Sequence, residues 1–177
     1  MIETKRLTFR KYTMADLDFF ASLWGNEEVV RYIGNGEPKN HEEAKQRLEK
    51  WISKYRDGLG MLAMVYKSNG KLIGHAGLIP QNVDGIDEVE IGYWLIPEYW
   101  GKGLAREAAA AFRDYGFQEL HIPKLISLIN PNHPASIFVA RKNGMAYEKT
   151  TTIRGNPVLV YSIKKTRLTP NLWRKKA

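Results

Sequence analysis

With 177 residues, 44% of them apolar and 26% charged, the chain is sized for one domain with a full core. It has no cysteine, which excludes disulfides, thiolate metal sites and a cysteine nucleophile. Of the net charge of +8, six basic residues fall in 164–177 with no acidic residue among them, leaving 21 basic against 19 acidic in the rest; the excess is a tail, and a basic face for nucleic acid is not expected.

"RLTFRKY" (6–12) alternates like a strand. "TMADLDFFASLWG" opens on a helix-cap threonine and closes at Gly25. In 40–56, Ala44, Leu48, Trp51 and Tyr55 share one face of an amphipathic helix. Residues 61–79 carry two apolar strands about Asn69-Gly70, a hairpin signal. "EVEIGYWLI" (88–96) is the next strand and ends at Pro97; a helix over 104–118 follows, with Leu104, Ala108, Ala111, Phe112 and Tyr115 on one face. Then come a strand at 124–130, a short helix near 134–143, and strands near 145–153 and 157–164. The expectation is a single α/β domain, 1–177, with a mixed central sheet flanked by helices and a basic tail from about 165. That tail reads as a solvated terminus or, more sharply, as a patch for RNA, a ribosome or an acidic partner.

His41, His75, His121 and His133 lack metal-ligand spacing, so no metal is expected. The opening "MIETKRLTFRKY" has no apolar signal region and no apolar run matches a membrane span, so a cytoplasmic protein without membrane contact is expected.

"YWGKGLAREAAA" (99–110) sets two glycines against a run of alanines. Glycine weakens a helix and alanine favours one. Following a strand and opening a helix, these glycines read either as an ordinary tight turn or as a loop that brings bare backbone N–H groups up to an anion. The spacing is neither the dinucleotide fingerprint nor a nucleotide-triphosphate loop.

"EIGYWLIPEYWGKGLAREA" resembles the acetyl-coenzyme A-binding core of the GCN5-related N-acetyltransferases (GNAT). Their pyrophosphate motif, Gln/Arg-x-x-Gly-x-Gly/Ala, becomes Trp100-Gly101-Lys102-Gly103-Leu104-Ala105 here. Trp100 in the Gln/Arg place is typical of the RimJ/RimL-like branch, which acetylates ribosomal-protein N-termini. "ETKRLTFRKYTMADLDFF", "GKLIGHAGLI" and "ASIFVARKNGM" resemble that branch's first strand and helix, central hairpin and last helix. The resemblance spans about 3–163 and implies a fold of about seven strands and four helices. It also implies direct acetyl transfer from acetyl-CoA to a primary amine, first a protein or peptide N-terminus, second a small amine such as an antibiotic or polyamine. The chain is compatible with a monomer or a homodimer.

The resemblance implies site residues one by one. Backbone groups of Leu95 and Ile96 would pair with the pantetheine arm. The loop of Trp100, Gly101, Lys102, Gly103, Leu104, Ala105 and Arg106 would hold the pyrophosphate. Glu90 would be the base through water; Glu88, on the same strand face two residues away, could replace it or raise its pKa by repulsion. Read as sequence alone, both carboxylates fit a solvated strand face equally well. Ser136 would donate a proton to the thiolate, because Ala140 stands where many relatives carry a tyrosine. His133 stands where the family's asparagine usually lies and Asn132 is its neighbour, so either could contact pantetheine. Trp24, Tyr32, Tyr93 and Trp94 would line an acceptor pocket, or fill the core. A non-catalytic acyl-CoA-binding module is the rival of a different class.

Overall fold

In a computed structural model, which describes residues 2–166, seven strands form one mixed sheet in the order β1-β2-β3-β4-β5-β7-β6. The strands are β1 (Leu7–Arg10), β2 (Gly60–Tyr66), β3 (Lys71–Val83), β4 (Ile86–Leu95), β5 (Lys124–Ile129), β6 (Ala146–Ile153) and β7 (Asn156–Lys164). The helices are α1 (Leu17–Trp24), α2 (Glu27–Val30), α3 (His41–Lys54), α4 (Leu104–Gln118) and α5 (Pro134–Lys142). Most of the basic tail lies outside the described residues. Among the described residues no helix is long and apolar enough to cross a membrane.

Local chemistry sets these boundaries. Asn40 caps α3 and Glu43 reaches back to its N–H, both bonds 2.9 Å long. Asn26 accepts from Glu28 and Val29 and so starts α2, a short helix that hydrophobic periodicity does not signal. The sequence reading also stops β3 too early. β3 continues through Pro80 to Val83, turns at Asp84-Gly85 and pairs residue for residue with β4. Asp84 and Gly85 have φ of 53° and 82°, both in the left-handed region that a two-residue hairpin requires.

The two faces of the sheet carry different layers. On one, α4 buries Leu104, Ala108 and Phe112 against Phe9, Ile91, Leu95 and Leu125. On the other, α1 and α3 bring Phe20, Trp24, Ala44 and Leu48 to Tyr12, Ala63 and Trp94. Alternation along β4 therefore sends Ile91, Tyr93 and Leu95 to the α4 side, and Glu90, Gly92 and Trp94 to the α1–α3 side. β4 and β5 are the only parallel neighbours among the described strands. They are in register at one place, Glu90 opposite Ile126, and part beyond it.

Candidate active site

The parting of β4 and β5 leaves backbone polar groups that need partners. Side chains supply several. The Ser127 hydroxyl donates to the Ile91 carbonyl at 3.2 Å. The Leu128 N–H donates to the Glu90 carboxylate. The Trp100 indole N–H donates to the Leu95 carbonyl at 2.8 Å, although the ring is 45% exposed. Ile96 turns the other way, its N–H donating to the Ile73 carbonyl at 2.9 Å. By alternation, the backbone groups of Tyr93 and Leu95 face the opened edge. The expected use of Ile96 is thus corrected on its N–H, which β3 already takes.

Beyond the split, the chain passes through Pro97–Tyr99 into the glycine loop and α4. Gly101 and Gly103 have φ of 70° and 74°, and Gly103 is the N-cap of α4 with no side-chain cap bond. A Cβ at Gly101 would meet nothing within 4 Å, and one at Gly103 only the Arg6 guanidinium at 3.7 Å. The glycines are needed for backbone conformation, and the space before them is open. The uncapped N–H groups of the first turn, at Leu104, Ala105 and Arg106, belong to that opening. A phosphate fits such a site. Lys102 lies with its Nζ 4.9 Å over the Tyr99 ring, and the Arg106 side chain is exposed.

A brace that the sequence reading missed fixes this loop. Arg6 donates from Nη1 to the Lys102 carbonyl at 2.9 Å and from Nε to Glu107 at 2.6 Å. Thr4 and the Arg6 N–H also donate to Glu107. Burial works against the Glu107 charge, but the bonds from Thr4 and Arg6 outweigh it and hold its carboxyl below the ordinary range. The segment just before β1 therefore ties the loop at Lys102 to the first turns of α4 at Glu107.

Glu90 lies at the point of divergence, partly buried. Gln81 Nε2 donates to its carboxylate at 2.6 Å. Burial raises its pKa to about 7, and the bonds from Gln81 and Leu128 only partly oppose this. The repulsion expected from Glu88 is not the cause. Glu88 bonds Lys124 Nζ at 2.6 Å, and Lys124 also holds Glu148 at 3.0 Å. A carboxylate already paired with a cation is a poor base.

On the opposite face, the Tyr93 hydroxyl lies 3.0 Å from Ser136 Oγ in the first turn of α5. Burial pushes the Tyr93 phenol up to about 12; the Ser136 bond opposes the shift and the Glu90 charge adds to it. Of the aromatic residues named as pocket-lining or core, Tyr93 sits with Ser136, on the face of the sheet opposite Trp94. Trp94 packs 4.5 Å from Trp24, which is only 5% exposed, within a cluster that includes Trp51 and His75. Tyr32 stacks on His133 with centroids 4.5 Å apart, joining the segment after α2 to the start of α5. Burial lowers the His133 pKa, so its ring is neutral at neutral pH. Asn132 is exposed, with its N–H on the Asn130 side chain. Among the described residues no group of three or more His, Cys, Asp or Glu side chains is placed to hold a metal ion.

Comparison with known proteins agrees with this fold. Residues 6–146 match the acetyltransferase (GNAT) domain model. The chain is 34% identical over 169 residues to the uncharacterised protein YkkB of Bacillus subtilis (strain 168), covering 92% of this chain and 96% of that protein. It is 32% identical over 134 residues to spermidine N(1)-acetyltransferase of Escherichia coli (strain K12), covering 75% of this chain and 69% of that one. The crystal structure of a GNAT-family acetyltransferase from Bacillus anthracis superposes with a TM-score of 0.79 at 25% identity, covering 92% of this chain and 97% of that one. A domain model matched over most of the length, and a relative above 30% identity across nearly all of it, place this chain in the GNAT family of acetyltransferases, which draw on acetyl-CoA.

Proposed function

We propose that this acetyltransferase acts on a protein or peptide N-terminal α-amine, with Glu90 as base and Ser136 as the hydroxyl that meets the departing sulfur. The observation that carries the reading is Glu90 itself, a carboxylate at the β4–β5 split with no cation partner among the described residues and a pKa of about 7. A base of that pKa is half ionised at neutral pH and strong enough to take a proton from an ammonium group through water. Acetyl-CoA, when bound, supplies an acetyl thioester already activated toward an amine.

Each residue has a separate task. The first-turn N–H groups at 104–106 take the phosphate charge, and Arg6 and Glu107 keep the loop in shape. The Tyr93 backbone groups and the Leu95 N–H, on the opened edge, hold an extended amide-bearing arm as a neighbouring strand would, the Leu95 carbonyl being taken by Trp100. Glu90 accepts the proton that makes the amine nucleophilic. The Ser136 hydroxyl donates to the sulfur as it gains charge, and Tyr93 at 3.0 Å orients that hydroxyl.

Trp100 in the Gln/Arg place and Ser136 at its position favour the ribosomal-protein N-terminal branch of the family. A polyamine acceptor is the second reading, favoured by the 32% identity to spermidine N(1)-acetyltransferase. The deciding experiment is a panel of N-terminal peptides, polyamines and small amines, followed by free-thiol release and product mass. The expected result is transfer to the peptide α-amine; transfer confined to polyamines or other small amines overturns this reading.

A further inference from the structure

The α1–α3 side of the sheet, where Glu90 and Trp94 face, carries three guanidinium groups from three separate elements. Arg47 of α3 lies 4.2 Å over the Trp24 ring, and Trp24 lies 4.5 Å from Trp94. Arg31, just after α2, lies 5.6 Å from the Tyr32 ring, which stacks on His133. Arg154, in the β6–β7 turn, is near enough for its charge to repel that of Arg47. Among the described residues none of the three forms an ion pair. The carboxylate that acts on Arg47 is the exposed Glu43, one turn earlier on its own helix.

The Arg47 and Arg154 charges repel one another, and that repulsion is relieved when a counter-charge arrives from outside. The Trp24 ring lies beneath the Arg47 guanidinium and the Tyr32 ring beside that of Arg31, and a guanidinium so supported can meet a carboxylate with two parallel bonds. The glycine loop that takes phosphate is at the start of α4, on the other face of the sheet, so these arginines are not part of it.

Resting on the reading of this chain as an amine acetyltransferase with Glu90 as base, we infer that the acceptor is an anionic amine, its amino group directed to Glu90 and a nearby carboxylate held by Arg47, Arg31 and Arg154. An acidic peptide N-terminus and a free amino dicarboxylic acid both have this chemistry. A polyamine does not, because its second cation would meet the arginines.

The test is steady-state kinetics with an Asp/Glu-rich N-terminal peptide, its side-chain amide (Asn/Gln) counterpart, free glutamate and spermidine. Arg154→Asn and the Arg31→Gln/Arg154→Asn pair are measured beside the unaltered protein. Both positions are exposed and asparagine tolerates the φ of 51° at Arg154, so these variants keep the fold. The acidic peptide or glutamate should exceed the amide peptide in kcat/KM by roughly tenfold or more, fading as salt rises. The better of the two identifies the source. The double variant should lose most of that preference through KM. Equal or better rates with the amide peptide or spermidine, or a preference unchanged in the double variant, overturn the inference while leaving acetyl transfer in place. No transfer to any amine overturns the underlying reading, and the inference with it.

Discussion

Glu90→Gln separates catalysis from stability more sharply than any other single change. The carboxyl has a pKa of about 7 in the fold against an ordinary 4.5, chiefly because burial penalises its charge. Between those values the native state keeps a proton that the unfolded chain has released, so stability falls as pH rises through this window and the deficit is complete above pH 7. A shift of about 2.5 units at 1.36 kcal/mol each sets a ceiling of about 3 kcal/mol. Partial exposure and the altered pairing with Gln81 reduce the expected gain to about 1–2 kcal/mol. The variant should therefore be more stable than the unaltered protein by that amount at pH 8, and equal to it near pH 4. Urea melts of both proteins at each pH give the difference directly. His75, whose burial pushes its pKa down to about 3, destabilises both alike in acid and cancels. The same substitution should lower kcat/KM by roughly 10²-fold or more and remove the limb that rises through pH 7. A variant that is less stable at pH 8, or that keeps this limb, would refute the placement of an uncompensated carboxyl at the split.

Three further changes test the other parts of the site. Gly103→Ala should weaken acetyl-CoA binding about tenfold and cost about 1 kcal/mol of stability, since its φ of 74° strains any Cβ; Gly103→Asn, which tolerates that φ, should recover more of the stability than of the calorimetric affinity. Arg6→Met leaves the part-buried Glu107 without its cation and frees the Lys102 carbonyl, so cofactor affinity and the melting temperature should fall together, by about 2–3 kcal/mol in stability. Tyr93→Phe should lower kcat roughly 5–10-fold, about the worth of one hydrogen bond, while calorimetry gives an unchanged cofactor affinity; a fall in affinity instead would mean that Tyr93 shapes the arm's binding and not the Ser136 hydroxyl.

Periodicity made most elements legible. α4 was readable to the residue, because Leu104, Ala108 and Phe112 keep one apolar face and Gly103 marks its start. The glycine loop was equally plain, since left-handed backbone before a helix leaves a chemical trace in the sequence. α2 was not, because four residues are too few for a period and Asn26 alone signals its start. The far end of the β3–β4 hairpin was missed for a different reason. The apolar run was followed only to residue 79, and the Asp84-Gly85 turn signal beyond it was not read. That omission hid Gln81, the partner of Glu90. The Arg6–Glu107 brace joins residues 101 apart in sequence, and no local pattern connects them. Nor could the sequence foresee that Lys124 would remove Glu88 from candidacy by pairing with it.

The hairpin end also bears on how, in the proposed function, one strand would serve two substrates. Alternate residues of β4 face opposite layers, Tyr93 and Leu95 the α4 side and Glu90 and Trp94 the α1–α3 side; the proposed function assigns the first to the cofactor and the second to the acceptor. A slip of one residue would exchange every role. Two features guard against it. The left-handed pair Asp84-Gly85 fixes a two-residue turn and with it the pairing of Ile79 to Glu90 and His75 to Trp94. Asp84 then accepts from Lys149 Nζ and Thr151 Oγ1, both at 2.6 Å, tying the hairpin tip to β6, while Val83 packs on Ile126 and Val160. The tip thus lies across β5 and β7 on the Glu90 side. The same hairpin end carries Gln81, which bonds the carboxyl, so the register that would separate the two substrates and the buried setting that raises the Glu90 pKa come from one structural element.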